Sequence, residues 1–178
     1  RGHMPESGLP QANYTIKGQN YAFSPVSAGT LPTTHVSFQY SDLNVLAVHH
    51  ALHESGLEPQ EVDIVVTLPL SEYYNNDNAR NQYNIDRKIK IYGEEVTKMK
   101  AKPVTIKTVE VRPEAIPAGL LHVDKLKDGD SLLIIDIGGT TVDIAHVAWD
   151  MSSVYRMSCL SALGADDIVK ALKNDLLK

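Results

Sequence analysis

The 178-residue chain contains one cysteine, one tryptophan and two phenylalanines, and it has no long run of apolar residues. A single cysteine, Cys159, excludes an internal disulfide framework and fits a reducing compartment, so we expect a cytoplasmic protein. The apolar runs are far too short to span a membrane. The net charge of −5 creates no general attraction to nucleic acid or to an anionic membrane, and we expect neither as a direct partner.

The rest of the composition is that of an ordinary soluble protein with 43% hydrophobic and 22% charged residues. The length suits one domain or two small lobes. The first four residues, Arg1–Met4, resemble the remnant of an expression vector. Together with the polar stretch that follows, they predict a tag remnant and a disordered lead over residues 1–12.

The most informative segment of the chain is residues 132–144, with the sequence LLIIDIGGTTVDI. Its four leading aliphatic residues, Leu132–Ile135, predict a strand that is covered on both faces. A tight hairpin is predicted at the four residues Gly138, Gly139, Thr140 and Thr141. Adjacent glycines let backbone N–H groups approach an anion such as phosphate, and the threonines add hydroxyl groups.

Two acids, Asp136 and Asp143, flank this hairpin. Carboxylates repel a bare phosphate, so their presence favours phosphate together with Mg²⁺, which prefers hard oxygen ligands. Without these acids, the glycines and threonines would equally fit an ordinary hairpin between two core strands.

Hydrophobic patterning predicts a mixture of hairpins and strand–helix–strand crossovers, which indicates an α/β or mixed α+β fold. A hairpin is predicted over Tyr14–Phe23 with its turn at Gly18, and a short strand over Val36–Tyr40. Further strands are predicted over Glu61–Leu70, Val104–Val111, Val142–Trp149 and Val154–Met157. Helices are predicted over residues 41–56, 83–90 and 120–127, and from Gly164 onward.

The clearest predicted helix begins at Ser41, a good N-cap, and ends near Gly56. Leu43, Ala47, His50 and Ala51 lie on one face of this helix, with Val48 and Leu52 beside them. Histidines spaced four residues apart on this helix could share a metal ion. Because no third ligand accompanies them, packed and surface histidines are the favoured interpretation. The five lysines within Arg87–Lys102 predict a solvated face, with a partner-binding surface as the alternative.

Several segments of the chain resemble ParM/StbA, the family of bacterial actin homologues that segregate low-copy plasmids. They are Tyr40–Val45 with His49–Leu52, Val62–Tyr74, Pro113–Gly119 and Ser131–Val147. The hairpin with its acids is also similar to the second phosphate loop of the actin-like ATPases in general. The resemblance implies an α/β, actin-like (ribonuclease H-like) ATPase fold with a mixed sheet, a small outer lobe and the start of a second domain.

The resemblance also implies roles for particular residues. Asp136 would hold Mg²⁺ through water, and Glu114 would orient the attacking water. Contacts to the β- and γ-phosphates of ATP or GTP are implied for Gly138, Gly139, Thr140 and Thr141. A carboxylate between Pro113 and Pro117 is well positioned, and phosphoryl transfer depends mainly on positioning and electrostatics. Without the resemblance, Glu114 is better interpreted as a surface acid in a proline-rich turn.

The family also has a first phosphate loop and an adenosine-binding segment, and neither is recognisable in this sequence. We therefore expect a central fragment, with the first actin-like domain and outer lobe over residues 13–130. The second phosphate hairpin and the start of the second actin-like domain are expected over residues 131–178. Such a fragment is expected to be inactive by itself and to be capable of dimerising.

Three functions remain open at this point. The first is a filament-forming ATPase of plasmid partition, whose partners are other protomers and an adaptor protein. The second is a non-catalytic module for assembly or adaptor binding. The third is a sugar or acetate kinase of the same superfamily, which would need a hydroxyl-activating aspartate and a sugar-binding lobe that are not evident here.

Overall fold

Strands and helices alternate along the chain, as the patterning predicts. A computed structural model describes residues 12–23, 31, 33, 35–99, 102, 104–139, 141–161 and 163–176. Most of the predicted lead, and most of residues 24–34, lies outside these ranges. The strands are β1 (Ala12–Ile16), β2 (Gln19–Phe23), β3 (Glu61–Leu68), β4 (Val96–Lys98), β5 (Thr105–Pro113), β6 (Ser131–Ile137), β7 (Thr141–Ala148) and β8 (Val154–Ser161). The α-helices are α1 (Asp42–Glu54), α2 (Leu70–Tyr73), α3 (Gln82–Ile91) and α4 (Ala165–Leu176), and 3₁₀ helices span Val36–Tyr40 and Ile116–Lys125.

The chain forms two compact units. The first comprises the residues up to 65 and residues 86–110, and the second comprises residues 66–85 and 111–178. The predicted boundary between two actin-like domains, at residues 130 and 131, is not the boundary between these two units, and it stays a prediction. None of the helices in the described part of the chain has the length and apolar character of a membrane span.

In the first unit, β1 pairs antiparallel with β2 on one side and with β4 on the other. The β1–β2 turn consists of Lys17 and Gly18, whose φ angles are 49° and 73°. Two consecutive positive φ angles are typical of the turn that best follows the twist of a two-stranded hairpin. The hairpin predicted around Gly18 is confirmed, whereas β4 was not predicted.

Helix α1 has the predicted caps. Ser41 Oγ accepts a hydrogen bond from the N–H of Asn44 at 3.3 Å, and Gly56 follows the helix with φ of +76°. On the face that carries Leu43, Ala47, His50 and Ala51, the first three residues are half-buried and Ala51 is exposed. The buried side chains are those of Val45, Leu46 and His49. Apolar residues occur on several faces of this helix, so their spacing alone does not determine which face packs inward.

The short strand predicted over Val36–Tyr40 is also wrong, since this segment is a 3₁₀ helix. Neighbouring side chains supply the hydrogen bonds that a partner strand would otherwise provide. His35 Nδ1 accepts from the N–H of Ser37 at 3.1 Å, and Ser41 Oγ donates to the carbonyl of Phe38 at 2.8 Å. Local side-chain bonds of this kind compete with strand formation.

Lys88 on α3 is only 1% exposed, which contradicts the expectation that every lysine of Arg87–Lys102 faces solvent. Its Nζ donates to the carbonyl and Oε1 of Gln39 at 2.7 and 2.8 Å, and to Asn44 Oδ1 at 2.8 Å. Tyr92 also donates its hydroxyl to Asn44 Oδ1, at 2.7 Å. These three acceptors match the three protons of the ammonium group and offset its loss of water.

Replacing Lys88 with methionine should lower the free energy of unfolding by about 2–4 kcal/mol. The carbonyl and Oε1 of the half-buried Gln39 would lose their donor, at about 1–3 kcal/mol each, while Asn44 Oδ1 would keep its bond from Tyr92. Urea denaturation followed by circular dichroism measures the change. Lys90→Met, on an exposed turn of the same helix, is the control and should change stability by less than about 0.5 kcal/mol. Equal midpoints for the two variants would contradict this role for Lys88.

His49 lies on the wall of a cavity of about 300 Å³ in the first unit, which Tyr14, His53 and Lys98 also line. Burial lowers the pKa of His49 below its ordinary value of 6.5. His50, on the neighbouring face, stacks on Phe23 with ring centroids 4.3 Å apart. Within the described ranges, no three His, Cys, Asp or Glu side chains converge as metal ligands.

The lowered pKa of His49 predicts that the protein loses stability as the pH falls below about 6.5. In that range the unfolded chain binds the proton more readily than the folded protein does. His49→Leu should therefore reduce the slope of unfolding free energy against pH between about pH 7 and 5. Urea midpoints across this pH range make the comparison.

In the second unit, β6, β7 and β8 form an antiparallel sheet in that order, which confirms the predicted hairpin and third strand. One face of this sheet packs on a core cluster that contains Leu70, Ala145 and Val147. Gly119 of the long 3₁₀ helix lies so close to β6 that an added Cβ would be 2.8 Å from Ile134 Cδ1. This close approach explains the glycine at that position.

The opposite face of β6 is exposed, although its sequence predicts cover on both faces. Leu133, Ile135 and Ile137 are 56–64% exposed. The difference arises because β6 belongs to an antiparallel hairpin whose other face alone packs on the core cluster. Such sheets commonly bury one face only.

Strands β3 and β5 run parallel to each other. The N–H of Thr105 donates to the carbonyl of Gln60, and the N–H of Glu114 donates to that of Leu68, both within 2.9 Å. Residue numbers therefore increase together along the pair. The predicted β3 strand ends at Leu68, before Pro69, whose ring and missing N–H interrupt the ladder. Helices α3 and α4 are confirmed, and the helix predicted over 120–127 is the 3₁₀ helix that begins at Ile116.

Candidate functional site

Glu114 lies at the carboxyl end of β5, beside the carboxyl end of β3. Its N–H donates to the carbonyl of Leu68 at 2.8 Å, and its Oε1 accepts from Thr67 Oγ1 at 3.3 Å. Both the backbone and the carboxylate of Glu114 are thus attached to the end of β3. Carboxyl ends of parallel strands are frequent sites of ligand binding.

The residue after Glu114 has an unusual backbone conformation. Ala115 has φ of 63° and ψ of −59°, and the N–H of Ile116 donates to the carbonyl of Glu114 at 2.7 Å. This is a three-residue γ-turn with positive φ, a rare and strained conformation for a residue with a Cβ. Such strain costs about 1–3 kcal/mol and is often found at functional sites. The prolines predict a constrained turn here, but nothing in the sequence indicates this conformation.

The predicted phosphate hairpin is present at the end of β6. The N–H of Gly138 donates to the carbonyl of Thr141 at 2.9 Å and closes a loop that contains Gly139 and Thr140. A Cβ on Gly138 would lie 3.2 Å from that carbonyl, whereas a Cβ on Gly139 would meet nothing within 4 Å. A side chain at Gly138 would therefore crowd the turn, whereas Gly139 faces open space. Thr140 lies outside the described residues, and its role stays a prediction.

Asp136 and Asp143 are directly opposite each other on β6 and β7, so their side chains project from the same face of the sheet. Asp136 is exposed, and among the described residues its carboxylate has no hydrogen-bond partner. Asp143 is 2% exposed and accepts from the N–H of Leu70 at 3.0 Å and from Thr141 Oγ1 at 2.8 Å. Asp136 is therefore the acid that is available to a metal ion.

These side chains fit a magnesium ion that is bound mainly through water and phosphate. A dedicated cage is absent, because no three potential ligand side chains converge within the described part of the chain. Mg²⁺ usually retains several waters and is held by one or two carboxylates together with substrate phosphates. A single exposed carboxylate beside a glycine hairpin agrees with that mode of binding.

One short segment, Thr67–Leu70, connects Glu114 to the hairpin. Thr67 and Leu68 hold Glu114, while the N–H of Leu70 is held by Asp143 on β7. The side chain of Ile116 packs against the same core cluster that contains Leu70, Ala145 and Val147. The predicted water-orienting residue and the predicted phosphate hairpin are therefore parts of one packed assembly.

Sequence reasoning missed two contributors to this assembly. The N–H of Ala165, at the start of the 12-residue helix α4, donates to the carbonyl of Gly138 at 2.9 Å. This contact brings the end of the helix that favours anions next to the hairpin.

The other contributor is Cys159, paired in register with Asp143. Burial, together with a hydrogen bond to Asp143, raises the pKa of its thiol despite an opposing hydrogen bond with Ser71.

Comparison with known protein families gives matches over nearly the whole chain. The family model for the N-terminal part of the plasmid segregation protein ParM matches residues 3–125. The model for its C-terminal part matches residues 126–178. A comparison with curated protein sequences finds no significant match.

Solved structures similar to this chain are actin homologues. Ta0583, an archaeal actin homologue crystallised with ADP, has a TM-score of 0.67 at 16% identity over 92% of this chain and 57% of its own. The actin-like protein Alp7A has a TM-score of 0.59 at 15% identity over 93% of this chain and 50% of its own. AlfA from a Bacillus subtilis plasmid, solved as a filament, has a TM-score of 0.50 at 16% identity over 96% of this chain and 63% of its own. The fold is actin-like, as predicted, and the chain spans about half the length of the first structures that it matches.

Proposed function

The chain belongs to the ParM family of plasmid segregation proteins, and from this premise we propose that the whole protein is an actin-like ATPase whose filaments segregate plasmids. The observation that carries the proposal is the shared attachment of Glu114 and the hairpin to Thr67–Leu70. A water-orienting carboxylate and a phosphate-binding loop must hold a fixed relation to each other, because phosphoryl transfer depends on positioning.

The proposed ligand is ATP or GTP with Mg²⁺. The hairpin residues Gly138, Gly139, Thr140 and Thr141 hold the β- and γ-phosphates. Backbone N–H groups of the hairpin provide positive partial charge at this point without a buried cation. The crystallisation of Ta0583 with ADP supports a nucleotide as the ligand.

Asp136 and Glu114 have different roles in the proposed reaction. Asp136, exposed at the end of β6, holds waters of the magnesium ion, which supplies neutralisation of phosphate charge when it is bound. Glu114 accepts a hydrogen bond from the attacking water and orients it toward the γ-phosphate. The hydrogen bond from Thr67 and the γ-turn at Ala115 restrict the movement of Glu114, which reduces the entropy lost in reaching the reactive geometry.

The proposed partners are further copies of the protein, an adaptor protein of plasmid partition, and no nucleic acid or membrane directly. The filament formed by AlfA supports self-assembly. The proposed compartment is the cytoplasm, in line with a single cysteine in 178 residues. The division into actin-like domains over residues 13–130 and 131–178 is part of the same proposal.

A non-catalytic assembly module is the second candidate function. The exposed apolar face formed by Leu133, Ile135 and Ile137 favours it, because large exposed apolar patches mark interaction surfaces. The two candidates differ in whether bound nucleotide is hydrolysed. The following two predictions distinguish them.

Glu114→Gln should slow ATP hydrolysis by the whole protein by about 100-fold, because a water-orienting carboxylate acts mainly on the transition state. Nucleotide affinity should change by less than about twofold, and filaments should persist longer. Phosphate release and calorimetric titration measure the two quantities. Glu61→Gln, an exposed acid at the start of β3, is the control. Loss of binding with unchanged turnover per bound nucleotide would refute the role of Glu114.

Asp136→Asn should weaken binding of Mg²⁺-ATP by about 10-fold or more, because the carboxylate fixes the waters of the metal. Affinity for ATP in EDTA should stay the same or rise, since a negative charge near phosphate is removed. Asp128→Asn, in the exposed loop before β6, removes the same charge outside the site. Equal affinity of wild type and Asp136→Asn for Mg²⁺-ATP would show that Asp136 does not serve the metal.

A further inference from the structure

Asp143 is a buried acid that the proposed mechanism does not use. Its carboxylate accepts hydrogen bonds from the N–H of Leu70 at 3.0 Å and from the hydroxyl of Thr141 at 2.8 Å. The thiol of Cys159 is a third hydrogen-bonding neighbour. An ionised carboxylate has no proton to give, so the proton in each of these bonds belongs to the neighbour.

This arrangement fixes the polarity of the Thr141 hydroxyl. A hydroxyl group has one proton and two lone pairs, and Thr141 gives its proton to Asp143. Thr141 is 6% exposed, so bulk water provides little competition for that proton. In every other direction the Thr141 oxygen can act only as an acceptor. Phosphate oxygens are acceptors too, whereas a metal ion or a metal-bound water is a suitable partner.

We propose that Asp143 is a positioning residue of the nucleotide site that makes Thr141 an acceptor for Mg²⁺ or its bound water. The same carboxylate holds Leu70, and through it the Thr67–Leu70 segment to which Glu114 is attached. The carboxylate of Asp143 thereby positions both the hydroxyl of Thr141, which faces Mg²⁺, and the segment that holds Glu114, which orients the attacking water. The inference rests on the proposed function, since Mg²⁺-nucleotide is the ligand, and it replaces the expectation that Thr141 donates to phosphate.

Asp143→Asn tests the polarity with minimal change of shape. If the asparagine oxygen keeps the bond from Leu70, its amide group faces Thr141 as a donor, and the hydroxyl proton turns away from residue 143. Thr141→Val removes the hydroxyl and keeps a β-branched side chain that suits a strand. Asp150→Asn, an exposed acid in the turn between β7 and β8, is the control for loss of charge.

The measurement is ATP affinity by calorimetry, with Mg²⁺ and with EDTA, for the wild type and each variant. The factor by which Mg²⁺ strengthens binding should fall about 10-fold in Asp143→Asn and in Thr141→Val, as is typical when an outer partner of a metal site is removed. The double variant should be no worse than either single variant, because both act through one hydroxyl. Asp150→Asn should retain the wild-type factor.

A purely structural role predicts a different result. Affinity in Asp143→Asn would then fall equally with Mg²⁺ and with EDTA, and this outcome would overturn the inference while leaving the proposed function intact. A wild-type protein that binds no nucleotide under either condition would instead refute the proposed function, and the role toward Mg²⁺ with it.

The link to Glu114 has a readout that needs no nucleotide. A carboxylate is a stronger acceptor than an amide, so hydrogen exchange of the Leu70 N–H should be about 2- to 10-fold faster in Asp143→Asn. The amide resonance of Glu114 should shift in the same variant, whereas Thr141→Val should leave both unchanged. Unaltered Leu70 exchange and an unaltered Glu114 resonance in Asp143→Asn would overturn the positioning role.

Discussion

The buried carboxylate of Asp143 is the interaction on which the second unit depends. A charge at 2% exposure is tolerated only when donors replace the water that it has lost. Here those donors come from three parts of the chain, namely the start of α2, the start of β7 and the middle of β8. Folding cannot bury this acid without also bringing the three elements together. The geometry of the candidate site therefore follows from the requirement to satisfy one carboxylate.

The first unit also contains a buried charged side chain with compensating hydrogen bonds, and there the charge is positive. Lys88 is held by neutral oxygens of Gln39 and Asn44, which precede and begin α1, so burial of this ammonium fixes α3 against α1. Satisfied buried polar groups give a packed interior a definite register, since any displaced arrangement leaves a charge without partners. Among the residues that the structure describes, each unit thus contains a buried ionisable side chain whose hydrogen bonds specify how the elements meet.

The sequence predicted local structure well wherever local chemistry determines it. Gly18 with Lys17, the Ser41 cap and the glycine hairpin at Gly138 are all defined by residues within a few positions of each other. It failed where the answer depends on distant partners. The burial of Lys88, the inward face of α1 and the exposed face of β6 are consequences of packing, which spacing alone cannot reveal. The 3₁₀ helix at Val36–Tyr40 shows that five alternating residues are too few to establish a strand.

The candidate site follows the same division. The sequence identifies its residues because glycines, acids and prolines at short spacing are typical of a ligand-binding loop. The sequence does not reveal the hydrogen bonds that hold these residues together. The sequence indicates Asp143 as a possible neighbour of a metal ion. In the structure its carboxylate is buried and accepts hydrogen bonds from Leu70 and Thr141. The strain at Ala115 adds to this picture, because a γ-turn that costs about 1–3 kcal/mol persists only where surrounding contacts enforce it. The hydrogen bond from the N–H of Glu114 to the carbonyl of Leu68 and the packing of Ile116 after the turn supply that enforcement. Contacts on both sides of the turn therefore fix the point at which the Glu114 side chain leaves the backbone.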